Sequence, residues 1–154
     1  MNMTLLKSAA RAAAVLVLLA AGADAAPPPA AAPTPGAARV WFYRVFFPLD
    51  SRDMPAISMN GWPVGYANAG GSFYRDVPAG TYHVEVDSYG RDYDQSQTIA
   101  FAPGVQYFVK IESLPTWEEG TSRHAFQRGT YYVRLVTPSL ASLELPQTTY
   151  EGSR

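Results

Sequence analysis

The sequence predicts an all-β fold, a small antiparallel β-sandwich of about seven to nine short strands. Runs of aromatic and β-branched residues recur over 39–145 between turns rich in Gly, Pro, Asp and Asn. No stretch sustains a helical apolar period. The Asn60-Gly61 pair, which favours the positive φ angles of a two-residue hairpin turn, separates two of these runs.

The first strands follow from apolar patterning and turn chemistry. The segment 40–47 is apolar on both faces, which suits either a central strand that is covered on both sides or a strand that lies under the linker. We expect 57–59 and 62–66 to pair as a hairpin across Asn60-Gly61. Pro63 lacks an amide hydrogen and therefore belongs on an edge of that hairpin.

The later strands alternate apolar and polar residues. The turn at 78–80 leads into 81–88, and the turn Pro103-Gly104 leads into 105–111. The side chains expected to point into the core are Tyr82, Val84, Val86, Ile99, Phe101, Tyr107, Val109 and Ile111, whereas Lys110 and Glu112 point outward. After a long loop over 112–129, we expect a closing strand at 130–136 and a last edge strand at 140–145.

The N-terminal segment has the features of a secretory signal peptide over 1–25. Lys7 and Arg11 precede the apolar run 12–21, and Ala23-Asp24-Ala25 supplies a cleavage site after Ala25. The run is too short to span a bilayer, so we expect no transmembrane segment in the mature chain. These features predict a periplasmic or secreted protein.

Composition divides the rest of the chain and limits its partners. Residues 26–38 are rich in Pro and Ala and predict a disordered linker, 39–145 form the sandwich domain, and 146–154 a flexible tail. The absence of cysteine excludes disulfides, thiolate chemistry and a lipid anchor. The arginines are scattered, and the formal net charge is −1. Nucleic acid is therefore not an expected partner.

Residues with catalytic or ligand-binding chemistry are sparse. His83 and His124 have no neighbours at metal-ligand spacing, so we predict no metal site, no cofactor and no catalytic residues. The loop with Asp87, Asp92 and Asp94 is rich in oxygen ligands, but Arg91 within it disfavours calcium. We therefore predict that the protein is not an enzyme.

Aromatic side chains are the remaining functional signal. With 10 Tyr, 7 Phe and 3 Trp, the chain has more rings than one small core needs. The residues that we expect to form a binding surface are Trp62, Tyr66, Tyr89, Tyr93 and Trp117. Such rings form hot spots for protein partners or stack on the sugars of a cell-surface polysaccharide. The alternative is that Trp62 and Trp117 cover the open ends of the core.

Three motifs resemble those of a known domain type. They are N-G-x-x-V-G at 60–65, V-P-A-G-T-Y-x-V-x-V at 77–86 and A-P-G-V-x-Y-F-V at 102–109. Their order is similar to that of PEGA-like β-sandwiches, and in particular to a family of small exported bacterial proteins known as a domain of unknown function. The resemblance implies a non-enzymatic module of the cell envelope, and the surplus of aromatic residues favours an envelope protein as its partner.

Overall fold

The computed structural model describes residues 32–48, 50, 52–89, 93–113 and 129–152. The predicted signal peptide, linker residues 26–31, His124, and Trp117 with most of its loop lie outside these ranges. The described strands are β1 (Ala37–Tyr43), β2 (Ala56–Met59), β3 (Trp62–Tyr66), β4 (Gly71–Pro78), β5 (Gly80–Val86), β6 (Ser96–Phe101), β7 (Gln106–Ser113), β8 (Tyr131–Val136) and β9 (Thr149–Tyr150). A helix, α1 (Pro138–Glu144), and a 3-10 turn (Leu145–Gln147) precede β9.

The nine strands within the described residues form two sheets, which confirms the predicted all-β sandwich. The five-stranded sheet has the order β8-β7-β1-β4-β9, and the four-stranded sheet has the order β3-β2-β5-β6. Most neighbours are antiparallel, but β1 runs parallel to β7, and β4 runs parallel to β9. The first strand therefore lies in the middle of the larger sheet, as its apolar pattern predicts.

The main core lies between the two sheets. The residues of β5, β6 and β7 that were predicted to face the core do so. Among them, Tyr82 and Tyr107 are only partly buried and lie at the margin of the core. The remaining members of this core come mainly from β1, β2 and β8: Ala38, Val40, Phe42, Ile57, Met59, Tyr131 and Val133.

The outer face of the five-stranded sheet is also covered, in part by α1. Lys110 and Glu112 point away from the core as predicted, but Glu112 is buried, and Lys110 Nζ donates to Glu144 of α1 at 2.7 Å. The Tyr43 hydroxyl donates to the same carboxylate at 2.7 Å. Burial, and then this hydrogen bond, raise the pKa of Tyr43. The second layer explains why β1 is apolar on both faces.

Helix α1 replaces the edge strand predicted over 140–145, so that prediction was wrong. The Thr137 hydroxyl accepts from the Leu140 amide at 3.3 Å, and Pro138 occupies the first turn. An N-cap threonine followed by proline is a helix-start signal, because the cap accepts a free amide and proline needs none. That local signal outweighed the apolar residues that had indicated a strand.

Both predicted boundaries of the folded domain need correction. Ala37 and Ala38, which were assigned to the linker, are buried in β1. The predicted tail contains β9, which pairs Thr149 with Gly71 and Tyr150 with Ser72. Tyr150 also stacks on Tyr74, with ring centroids 5.8 Å apart. The segment is thus held by both backbone and ring contacts.

The predicted hairpin is present as β2 and β3. Asn60 and Gly61 have φ angles of 51° and 79°, which is the pair of positive values that a two-residue hairpin turn requires. A bulge shifts the register between Ile57 and Ser58. Pro63 lies in β3, an edge strand of its sheet, as predicted. No helix in the described residues is both long and apolar enough to span a membrane.

Candidate functional site

One side of the sandwich, which we call the closed edge, is held by hydrogen bonds between β8 and the segment that leads into β6. The Val133 amide donates to the Asp94 carbonyl at 2.7 Å, and the Leu135 amide donates to Gln97 Oε1 at 3.3 Å. The Tyr131 amide donates to Ser88 Oγ at 2.7 Å. These bonds satisfy amides on the free side of β8, so little backbone is left there for a partner.

The opposite side contains a cavity of about 560 Å³ between β3 of one sheet and β4 with its neighbour β9 of the other. We call this cavity the edge groove. Its volume is within the range of small-molecule and side-chain binding sites. The lining residues are Met54, Gly65, Tyr66, Asn68, Phe73, Arg75, Glu151 and Gly152.

An apolar contact between the two sheets forms the base of the edge groove. A Cβ atom on Gly65 would lie 2.4 Å from Cζ of Phe73, so the ring packs against the bare glycine backbone. Phe73 is only 6% exposed and stacks on Phe42 at a centroid distance of 5.3 Å. The base is therefore part of the core and is fixed before any ligand arrives.

Arg75 supplies the positive charge of the groove. It follows Phe73 by two residues on β4, and so it lies on the core-facing side of the strand. Its Nη1 donates to the Tyr74 carbonyl at 2.8 Å, and its Nη2 donates to the Val64 carbonyl of β3. The guanidinium carbon lies 4.9 Å from the centre of the Phe73 ring. Burial lowers the pKa of Arg75, because the charged form loses part of its hydration.

The opposing polar group comes from the C-terminal segment. After β9, the Glu151 amide donates to the Ser72 carbonyl at 2.8 Å, and Glu151 Oε1 accepts from Asn68 Nδ2 at 2.6 Å. Asn68 Oδ1 is buried and has no hydrogen-bond partner among the described residues. The groove therefore contains a free buried acceptor in addition to one positive and one negative side chain.

A buried ion pair positions the loop that carries Met54. Arg44 Nη2 lies 2.6 Å from Asp50 Oδ2, and each of the two side chains is 1% exposed. Arg44 Nη1 also donates to the carbonyls of Asp53, at 2.9 Å, and Ala67, at 3.2 Å. One guanidinium thus fixes the residues that precede Met54 and Asn68 on two sides of the edge groove.

The structure does not gather the predicted aromatic residues into one site. Tyr66 lines the edge groove and is 61% exposed. Trp62 is 78% exposed. Because of the bulge, Trp62 pairs with Met59, which is on the core-facing side of the sheet, whereas Tyr66 pairs with Ala56, which is on the opposite face. Tyr89 and Tyr93 are exposed near the connection between β5 and β6. Trp117 lies outside the described residues.

Sequence reasoning missed most of the edge groove. Met54, Asn68 and Glu151 lie outside regular alternation, so no periodic signal singled them out. A signal did exist for Arg75, because the inward parity of β4 runs through Phe73, Arg75 and Val77. An arginine at a position where alternation calls for an apolar side chain indicates a special role.

Acid–base and metal chemistry finds little support in the described part of the chain. His83 is exposed on β5, and its Nδ1 lies 3.4 Å from the Thr98 hydroxyl. The described residues contain no group of three or more His, Cys, Asp or Glu side chains that could hold a metal ion. Among the described residues the edge groove is a well-formed cavity, and its lining suits binding.

No protein-family model matches the chain, and no curated protein is significantly similar to it. The resemblance of its turn motifs to PEGA-like domains therefore stays a prediction.

Proposed function

We propose that this protein is an exported, non-enzymatic module of the bacterial cell envelope that binds a partner protein in the edge groove. The observation that carries the proposal is the composition of that groove. It combines an exposed tyrosine ring, an apolar base and a guanidinium that has no carboxylate within ion-pair distance among the described residues.

The physics of interfaces supports this use of the groove. Tyrosine and arginine are enriched among the residues that contribute most to protein binding, especially beside pockets that exclude water. Tyr66 offers a large surface with few rotatable bonds, and the Phe73 base is already ordered by the core. A partner side chain would therefore enter a preformed pocket with little ordering cost.

A second candidate is binding of a cell-surface polysaccharide. Tyr66, Asn68 and Glu151 all line the groove, which offers stacking and hydrogen-bonding groups to one ligand. A platform that combines Trp62 with Tyr66 is disfavoured, because the bulge directs the two rings to opposite faces. A sugar would then depend on Tyr66 alone.

The proposal is tested by placing a photo-crosslinking amino acid at position 66 in the native envelope. Tyr89 is the matched control, because it is similarly exposed and lies away from the edge groove. We expect one protein to be crosslinked from position 66 and not from position 89. The purified partner should then bind the wild-type chain and lose affinity for Tyr66→Ser.

Two outcomes would contradict the proposal. Equal crosslinking from both positions, or none from position 66, would remove the groove as a protein-binding surface. Saturable binding of a purified polysaccharide fraction that is lost in Tyr66→Ser would favour the sugar candidate instead.

A further inference from the structure

The strand β4 has a backbone edge that β9 covers only at its start. β9 pairs with Gly71 and Ser72, and no other described strand pairs on that side of β4. The Ser72 carbonyl accepts from the Glu151 amide, whereas the Gly71 carbonyl points the other way, toward Arg44. Because backbone direction alternates along a strand, the polar groups of Tyr74 and Asp76 also point to the free side.

Arg75 lies between these two residues and faces the edge groove. Its hydrogen bonds to the Tyr74 and Val64 carbonyls use two of its five N–H donors. Among the described residues, no Asp or Glu lies within ion-pair distance of it, although burial has removed part of its hydration. A partly dehydrated guanidinium attracts an incoming anion more strongly than a fully hydrated guanidinium does, because the surrounding medium screens it less.

We propose that the edge groove and the free edge of β4 together bind an extended peptide segment that carries a single Asp or Glu, whose carboxylate pairs with Arg75. This inference rests on the proposed function and specifies its ligand. The Tyr74 carbonyl already accepts from Arg75, so the peptide backbone would extend the sheet along β4 through the Tyr74 amide and the backbone groups of Asp76. Its carboxylate would take N–H donors that Arg75 leaves unused, and an adjacent apolar side chain would contact Phe73 and Tyr66.

The charge of the lining residues favours one carboxylate over a polyanion. Arg75 and Glu151 are the two charged residues among the described ones that line the groove, and their formal charges cancel. A phosphorylated or multiply acidic ligand would bring further negative charge toward Glu151, which disfavours it. A single carboxylate placed on Arg75 avoids that repulsion.

The test uses the full-length exported chain and short peptides of alternating threonine and valine, capped at both ends and labelled for fluorescence anisotropy. One pair of peptides carries a central Asp or Glu, and the matched pair carries Asn or Gln. We expect the acidic peptides to bind about tenfold more tightly. A hydrogen bond to a charged group contributes more free energy than one to a neutral group, and the difference corresponds to roughly that factor in affinity. Arg75→Met should remove the preference, and Arg75→Lys should retain part of it.

Arg134→Met is the matched control, because Arg134 lies on β8 at the opposite end of the sheet order. It should leave the preference unchanged. Circular dichroism of each variant verifies that the sandwich is folded, so that a loss of binding is assigned to the side chain.

Several results would overturn the inference. They are equal binding of acidic and amide peptides, an unchanged preference in Arg75→Met, and the absence of peptide binding.

Binding of uronic-acid oligosaccharides without any peptide would assign Arg75 to an acidic sugar. Self-association of Arg75→Met without peptide binding by the wild type would mean that Arg75 protects the edge from strand pairing. A partner that is crosslinked from position 66 and still binds Arg75→Met would leave the proposed function standing and reject this inference alone.

Discussion

The two sides of the sandwich solve the problem of an open sheet edge in different ways. At the closed edge, amides of β8 donate to Asp94, Gln97 and Ser88, so the strand is satisfied by its own chain. At the edge groove, β3 and β4 are bridged by the Arg75 side chain and by Phe73 packed on Gly65. The first arrangement seals the core, whereas the second leaves a cavity with a charged wall.

Two arginines beside the edge groove differ from each other in energetic terms. Arg44 is buried, pairs with buried Asp50 and donates to two loop carbonyls, so it is part of the folded framework. Arg75 is partly buried, and no carboxylate of the described residues lies within ion-pair distance of it. The contrast supports the proposal that Arg44 serves stability and Arg75 serves binding.

The largest expected effect comes from Arg44→Met. It leaves the Asp50 carboxylate buried without its partner, and breaking a buried pair on one side costs about 3–5 kcal/mol. Urea unfolding at neutral pH measures the loss. The double variant Arg44→Met/Asp50→Leu should recover much of it, since the unpaired charge is gone. A loss below about 1 kcal/mol in the single variant would contradict the framework role.

Gly65→Ala should be the next most damaging change. The new Cβ would lie 2.4 Å from Cζ of Phe73, so the ring must move, and such overpacking costs about 1–3 kcal/mol. Gly80→Ala is the matched control, because its Cβ would meet nothing closer than 3.6 Å. If both variants unfold at the wild-type urea concentration, the ring does not rest on Gly65 as described.

Ser88→Ala tests the closed edge with a smaller effect. It removes the acceptor of the Tyr131 amide, and losing a partner of a buried donor costs about 1–3 kcal/mol, at the lower end where water can enter. Hydrogen exchange should accelerate at the Tyr131 amide, while Ser142→Ala on exposed α1 leaves it unchanged. Unaltered exchange in Ser88→Ala would show that this edge is held by other contacts.

The smallest effect concerns acid stability on β4. The hydrogen bond from Arg39, at 2.7 Å, lowers the pKa of Asp76 below its ordinary value of 3.8. A lowered pKa means that the stabilisation is present above the ordinary value and is lost as pH falls through the folded one. Urea midpoints measured from neutral pH downward should therefore fall less steeply in Asp76→Asn. Parallel curves for the two proteins would contradict this contribution.

Local turn chemistry and alternation predicted much of the fold. Asn60-Gly61 fixed the hairpin, because few residue pairs take two positive φ angles, and the doubly apolar pattern of β1 indicated its central place. The helix α1 was missed because the Thr137 cap was not weighed against apolar content. The burial of Glu112 was missed because nothing local shows that a distant helix covers it.

The edge groove was mostly beyond sequence reasoning, for a physical reason. Its residues come from β3, β4, two loops and the C-terminal segment, and only the pairing of β4 with β9 brings Glu151 to Asn68. Tyr66 was predicted because exposed rings are recognisable by type. Arg75 could have been found from strand parity once the bounds of β4 were known.

The free energy of unfolding of Arg75→Met, measured in urea beside wild type, distinguishes a binding role of Arg75 from a structural one. If Arg75 is kept for binding, replacing a partly dehydrated charge by an apolar side chain of similar length should leave stability within about 1 kcal/mol of wild type, or raise it. A loss of about 3 kcal/mol or more, similar to that expected for Arg44→Met, would show that Arg75 is a structural clamp between the sheets and would contradict the account.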